Sequence, residues 1–352
     1  MQIFLSKHQK YIQRCIDLAQ MGLGKTYPNP MVGSVVVYKD TIIGEGWHQK
    51  AGDPHAEVNA IASVKDKSIL KKATIYVSLE PCSHFGKTPP CADLIIAHKI
   101  PKVVVGCLDP NPKVAGRGVK KLLESGCEVA VGILENECKK LNKRFFSFHQ
   151  KERPYIILKW AQTADGFIAP KEQETGKPYW ITGEAVKQLV HKWRSEEQAI
   201  LVGTTTVLKD NPQLTNRLWE GNSPMRVILD QHLKINKEAA VLDGTEKTIV
   251  LSSKNQPDFP DLKNVFFETI PFNDKLANYI CEVLFNHNIQ SVIIEGGAQT
   301  LQTFINANLW DEARVFTGKK ILKLGIESPE FKKNASQTFQ VAEDQLSLYY
   351  ND

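Results

Sequence analysis

The sequence predicts an α/β protein of two layered domains, and three observations carry that expectation. Runs of β-branched residues alternate with segments of helical periodicity along the whole chain. Its 352 residues are more than one hydrophobic core ordinarily takes. A polar, proline-containing stretch, Lys151-Glu152-Arg153-Pro154, interrupts the alternation near the middle. The expected domains are therefore residues 1–150 and 151–352.

Tyr11, Ile12, Cys15, Ile16, Leu18 and Ala19 recur at helical spacing and predict an opening helix over residues 6–22. Pro28-Asn29-Pro30 stops it, because proline cannot continue a helix and constrains its predecessor. Val32 to Tyr38 and Thr41 to Trp47 read as two strands around a Lys39-Asp40 turn. Asp53-Pro54 is a good helix start, with Asp as cap and Pro in the first turn. Thr74 to Leu79 is a strand, Cys91 to His98 a helix, Lys102 to Gly106 a strand and Val119 to Ser125 a helix ending at Gly126. The second half reads as strands at 155–160, 199–202, 226–230, 248–252 and 291–295. Its helices are expected at 184–194, at 278–287 and from Leu301 onward.

Composition narrows the class. No apolar run approaches the roughly 18 residues of a membrane helix, and Met1 to Lys7 is too poor in apolar residues for a secretory signal. Seven cysteines, an odd number without small-scaffold spacing, point to free thiols or metal ligands in a reducing, cytoplasmic setting. Residues 1–150 hold 21 Lys+Arg against 13 Asp+Glu, and the remainder 23 against 26. A basic first half suits an anionic partner, either a phosphorylated metabolite or a nucleic acid.

The densest chemical signal is His55-Ala56-Glu57 followed by Pro81-Cys82 and Cys91. One imidazole and two thiols make three zinc ligands, whereas a structural zinc site normally closes with a fourth. Three ligands beside a carboxylate point instead to metal-activated water, whose pKa zinc lowers to about 7. Glu57 is too close to His55 in sequence to serve as the fourth ligand and is the expected proton carrier. Cys15, Cys107, Cys127, Cys138 and Cys281 lack a partner spacing and read as core thiols.

This pattern resembles the zinc nucleobase deaminases, with their His-x-Glu and Pro-Cys-x-x-Cys signature. Here eight residues, Ser83 to Pro90, separate the thiols and carry His84 and Lys87. Together with Pro28-Asn29-Pro30-Met31-Val32-Gly33 and Gly46-Trp47-His48, that longer insertion resembles the bifunctional riboflavin-biosynthesis deaminase/reductase family. The resemblance implies a cytidine-deaminase-like three-layer domain followed by a dihydrofolate-reductase-like domain. It implies zinc-dependent deamination of a diaminopyrimidine ribosyl phosphate, then NADPH-dependent reduction of the ribose to a ribityl chain. Asn29, His48, His84 and Lys87 would touch the pyrimidine or its phosphoribosyl tail.

In the second half, strand ends are followed by Lys159-Trp160-Ala161-Gln162, Gly203-Thr204-Thr205-Thr206 and Glu295-Gly296-Gly297. Open α/β sheets bind ligands at such ends, and Gly-Gly before a helix lets backbone amides approach a phosphate. No Gly-x-Gly-x-x-Gly is present, so an ordinary Rossmann fingerprint is missing. The string Thr-Val-Leu-x-Asp-Asn-Pro-x-Leu-Thr-x-Arg, Thr206 to Arg217, resembles the family's reductase half most specifically. By that resemblance NADPH meets Gln162, Trp180, Thr206, Asp210 and a loop of Gly297, Ala298, Gln299, Thr300, Leu301, Gln302 and Thr303. The sugar phosphate would meet Lys159, Asp165, Arg194, Leu214, Arg217 and Glu295. Pro178 stands where the family often has Ser, which removes one hydroxyl from that substrate site.

The expected partner is a small phosphorylated pyrimidine, acted on by a homo-oligomer without nucleic acid or membrane. Two other readings stay open at this level. A nucleic-acid base deaminase with an accessory domain would need a stacking surface, for which only Tyr27, Trp47 and Phe85 are available near the motifs. A non-catalytic zinc-stabilised binding protein would leave Glu57 and the open metal position without a purpose.

Overall fold

A computed structural model describes residues 2–83, 89–111, 114–172, 174–176, 178–254 and 262–351. His84 and Lys87 lie outside the described residues. The chain divides into two compact units, Met1–Lys151 and Glu152–Asp352.

The first unit runs α1 (Gln2–Gln20), β1 (Gly33–Tyr38), β2 (Thr41–Trp47), α2 (Ala56–Ser63), β3 (Thr74–Leu79), α3 (Cys91–Ala97) and β4 (Lys102–Cys107). It continues through α4 (Arg117–Glu124), β5 (Glu128–Val131), α5 (Glu135–Leu141) and α6 (Lys143–Lys151). One five-stranded sheet, ordered β2-β1-β3-β4-β5, is antiparallel around β1 and parallel from β3 to β5. Alternation along the strands feeds two cores. Val35, Val37, Tyr76 and Val104 pack against Tyr11, Ile12, Cys138 and Phe146 on one face. Val36, Ile75, Val77 and Val103 meet Ile61, Ile95 and Leu122 on the other. This makes three layers. Lys39 and Asp40 both adopt positive φ, 46° and 63°, which matches the twist a two-residue hairpin needs.

One predicted boundary was displaced at the site itself. Helix α2 begins at Ala56, not at Asp53-Pro54, and His55 is its cap in an extended conformation. The Pro54 carbonyl is taken by side chains, accepting from Asn59 Nδ2 at 3.3 Å and meeting His48 Nδ1 at 3.2 Å. The first helical bond therefore runs from Asn59 N to His55 O. Of the cysteines expected in the core, Cys15, Cys107, Cys138 and Cys281 are buried, while Cys127 is only half-buried.

The second unit runs β6 (Tyr155–Gln162), β7 (Phe167–Pro170), α7 (Glu184–Glu196), β8 (Ala199–Gly203), α8 (Thr204–Asp210), β9 (Met225–Leu229), β10 (Thr248–Ser252) and β11 (Val265–Thr269). Then come α9 (Leu276–Asn286), β12 (Ser291–Gly296), α10 (Ala298–Asn306), β13 (Glu312–Thr317), β14 (Gly325–Glu327), β15 (Gln337–Val341) and β16 (Asp344–Tyr350). Nine strands form one sheet, β11-β10-β9-β8-β12-β6-β13-β16-β15, parallel from β11 to β13 and antiparallel at β16 and β15. Strands β7 and β14 pair separately.

Helices α9 and α10 pack on one face, through Ile280, Leu284, Leu301 and Phe304. Helix α7 packs on the other through Val186, Val190 and Trp193, and α8 through Val207. The helices change face around β12, which creates a crevice at the carboxyl ends of β8, β12 and β6. Two expected loops are helical here. Thr204 to Asp210 forms α8. Helix α10 starts at Ala298 rather than Leu301, because the Gly297 carbonyl already accepts the Leu301 N–H at 3.1 Å. The expected 297–303 loop is thus a cap and two helical turns.

Candidate active sites in the two units

In the first unit, three elements converge. His55 caps α2, Cys82 follows the end of β3, and Cys91 opens α3. Their ligand atoms all lie within 4.8 Å of one another. His55 Nδ1 stands 3.5 Å from Cys82 Sγ and 3.3 Å from Cys91 Sγ, and the Cys91 backbone N–H donates to Cys82 Sγ at 3.3 Å. Hydrogen bonding from Cys91 holds Cys82 well below the ordinary thiol range, while Cys91 is pushed up in turn. One imidazole nitrogen and two thiols at this spacing suit zinc, whose charge would favour both thiolates.

Glu57 lies in the first turn of α2 and is only 3% exposed. Burial, reinforced by the negative charge of Cys82, pushes its carboxyl up to about 7. That is where a group that both takes and gives a proton near neutrality belongs. His48 stands edge-on to His55, with ring centroids 5.5 Å apart. Its Nε2 faces Asn29 Nδ2 at 3.1 Å and its Nδ1 faces Pro54 O. The bonds require the ring proton on Nδ1, because the Asn29 amide is a donor and the Pro54 carbonyl an acceptor. Burial lowers the pKa of His48, so the ring stays neutral.

Glu80 carries no signal in the motif reading. It follows β3 directly, two residues before Cys82, and its buried carboxylate accepts four backbone N–H groups. These come from Gly116 and Gly118 at 2.9 Å, Val119 at 3.2 Å and Asp109 at 3.3 Å. It thereby ties the start of α4 to the strand end that carries Cys82. The approach is close enough that a Cβ on Gly118 would lie 2.0 Å from Pro81 O. The pair of glycines, Gly116 and Gly118, was the available sequence signal.

In the second unit, an open cleft of about 1030 Å³ lies at the carboxyl ends of the central strands. Parallel pairing of β6 with β12 and the period-two alternation put Lys159 and Glu295 on the face covered by α7. Arg194 of α7 donates to Glu295 Oε2 at 2.9 Å, and Lys159 Nζ lies 3.9 Å from Oε1. Burial opposes ionisation of Glu295, but Arg194 and Lys159 outweigh it and hold the carboxyl at about 2. Burial also lowers Lys159, with Glu295 only partly opposing it. The closer Arg194 contact is the dominant pair.

Pro178, Trp180, Thr206, Asp210, Arg217, Gly297, Ala298, Gln299, Thr300, Leu301 and Thr303 also line this cleft. Leu214 lines it too, at φ 55°, with its side chain packed into the core beneath α8. Gly203 lets the first turns of α8 and α10 meet, since a Cβ there would sit 2.7 Å from Thr300 Oγ1. Three expected residues are placed elsewhere. Gln162 Oε1 accepts from Trp160 Nε1, and Gln302 bonds Asn306 and Glu330. Asp165 accepts from Thr163 Oγ1 and from the Leu322 and Lys323 backbone N–H groups, which organises a turn. His191, which lines the cleft three residues before Arg194, was missed by the motif reading. Its helical spacing from Arg194 would have found it.

Residues 5–107 match the cytidine and deoxycytidylate deaminase zinc-binding region, and residues 154–327 match the RibD C-terminal domain. A riboflavin biosynthesis protein RibD of Aquifex aeolicus is 42% identical over 320 residues, covering 90% of this chain and 88% of that protein. The chain belongs to the RibD family. A RibD protein of Synechocystis is 38% identical, covering 91% of this chain and 86% of its own length. The crystal structure of a Thermotoga maritima diaminohydroxyphosphoribosylaminopyrimidine deaminase/5-amino-6-(5-phosphoribosylamino)uracil reductase is 38% identical. It superposes with a TM-score of 0.88, covering 99% of this chain and 100% of that one. Acinetobacter baumannii RibD is 35% identical with a TM-score of 0.89, covering 99% of each chain. RibD proteins are bifunctional riboflavin-biosynthesis enzymes with a zinc-binding deaminase domain and an NADPH-using reductase domain, as the resemblance implied.

Proposed function

We propose that Met1–Lys151 deaminates a diaminopyrimidine ribosyl phosphate and that Glu152–Asp352 reduces the ribose of the product with NADPH. The observation that carries the reading is the buried Glu57 beside the cluster of His55, Cys82 and Cys91.

His55, Cys82 and Cys91 would hold a zinc ion, which would supply the Lewis acidity that activates water. Glu57 takes the proton from that water at its carboxylate and delivers it to the leaving amine. Its pKa of about 7 suits both steps. Asn29 and His48, locked to each other beside His55, orient the pyrimidine. His84 and Lys87 are assigned to the phosphoribosyl tail on sequence alone.

In the second unit NADPH supplies the hydride, and the protein orients it. Thr206, Asp210, Trp180 and the first turns of α10 from Gly297 to Thr303 form its binding side. The N–H groups at the start of α10 suit a phosphate. Opening of the ribosylamine ring would turn the C1′–N bond into C1′=N, and hydride added at C1′ would leave that nitrogen needing a proton. Lys159, half-buried and easier to deprotonate than an ordinary lysine, would give it. Glu295, itself held by Arg194, faces Lys159, and Arg217 meets the phosphate.

Seven unpaired cysteines support a cytoplasmic location. Among the described residues no helix is long and apolar enough to cross a membrane. We further assign a homo-oligomer acting on this small molecule without nucleic acid, which light scattering and RNA-binding assays would test.

The deciding assay follows ammonia release and NADPH oxidation on the diaminopyrimidine ribosyl phosphate. Glu57→Gln should slow ammonia release by roughly 10²–10⁴-fold while zinc content and reduction of pre-deaminated substrate persist. Normal ammonia release by that variant would remove the role given to Glu57.

A further inference from the structure

His191 and Arg194 stand three positions apart on α7, one above the other on the same helical face. Both line the cleft, and both bind the same neighbouring segment. Arg194 Nη1 donates to Thr215 O at 3.2 Å. Two residues later, the Arg217 backbone N–H donates to His191 Nδ1 at 2.9 Å. A backbone N–H can only donate, so Nδ1 must be unprotonated and the ring neutral, with its proton on Nε2. Burial together with Arg194 and Arg217 pushes His191 down to about 4, so it remains an acceptor at neutral pH. Asn216 and Glu295 are the other polar groups acting on the ring.

The Arg217 side chain is anchored separately. Its Nη1 donates to Gln213 Oε1 and to Thr215 Oγ1, each at 2.8 Å. The guanidinium is thus held by its own loop, and the loop is held to the helix by His191 and Arg194. Without the His191 bond, the backbone at Arg217 loses its tie to α7, while Arg194 keeps its bond two residues upstream.

We propose that His191 is a positioning residue for the reductase: as an obligately neutral acceptor it pins the Arg217 backbone, so that the guanidinium faces the phosphate of the substrate. This rests on the reading in which Arg217 meets that phosphate.

The test uses the full chain with NADPH and 5-amino-6-(5-phosphoribosylamino)uracil, measuring KM and kcat separately. His191→Ala should raise the KM for the phosphorylated substrate about tenfold, the scale of one lost hydrogen bond. The kcat and the KM for NADPH should stay within about twofold of wild type on that scale. His191→Asn places an oxygen near the position of Nδ1 and should restore most of the loss. His191→Gln carries its acceptor one bond further out and should not. If His191→Ala fails to fold, the Asn and Gln variants decide the matter by themselves. Equal KM for His191→Asn and His191→Gln would overturn the proposal, as would an unchanged KM for His191→Ala while Arg217→Gln raises it. An unchanged KM for Arg217→Gln would instead overturn the phosphate contact, and this inference with it.

Discussion

Replacing Glu295 with Gln removes the only carboxylate, among the described residues, in contact with two half-buried cations of the cleft, Arg194 and Lys159. Its pKa falls from an ordinary 4.5 to about 2, because Arg194 and Lys159 overcome a burial that acts the other way. At about 1.4 kcal/mol per pH unit, that drop stabilises the folded second unit by about 3 kcal/mol at pH 7. A carboxylate whose folded pKa is depressed contributes fully above the unfolded value and loses its contribution as pH falls toward the folded one. The stabilisation is therefore whole above pH 4.5 and fades between 4.5 and about 2. Urea unfolding, followed through Trp160, Trp193 and Trp310 in the second unit, reads it directly. Glu295→Gln should unfold with about 3 kcal/mol less free energy than wild type at pH 7, a gap that narrows to about 1 kcal/mol at pH 3. An equal midpoint at pH 7 would refute the assigned pairing. A gap that does not narrow on acidification would show that lost packing, rather than lost charge, is responsible.

Cys91→Ser should lose zinc and ammonia release together, while NADPH oxidation on pre-deaminated substrate persists; a chelator should do the same to wild type, as metal analysis and the two assays would show. Gly118→Ala forces a Cβ to within 2.0 Å of Pro81 O. It should destabilise the first unit by about 1–3 kcal/mol and weaken zinc retention through Cys82, read by denaturation and by metal content after dialysis.

Much of the architecture is legible in local pattern. β3 and β10 begin and end where the sequence places them, because strands buried on both faces read as near-continuous apolar and β-branched runs. β15 was not legible. Its residues, Gln337 to Val341, are mostly exposed and polar, so no apolar run marks it, and it exists because β16 supplies its hydrogen bonds. The start of α2 was displaced because His48 and Asn59, neither of them in the cap motif, claim the Pro54 carbonyl.

The sites divide in the same way. The sequence by itself singled out His55, Cys82 and Cys91, whose ligand atoms the fold brings together, and Glu57 in the adjoining helical turn, because residue identity and spacing carry that signal. It also determined the family. Only the tertiary structure decided that Asp165 spends its carboxylate on the Leu322 and Lys323 backbone, that Glu80 gathers four N–H groups, and that His191 holds Arg217. A ligand's chemistry belongs to its residue type. A hydrogen bond to a backbone group 26 or 157 residues away belongs to whichever strands and helices the two cores bring together.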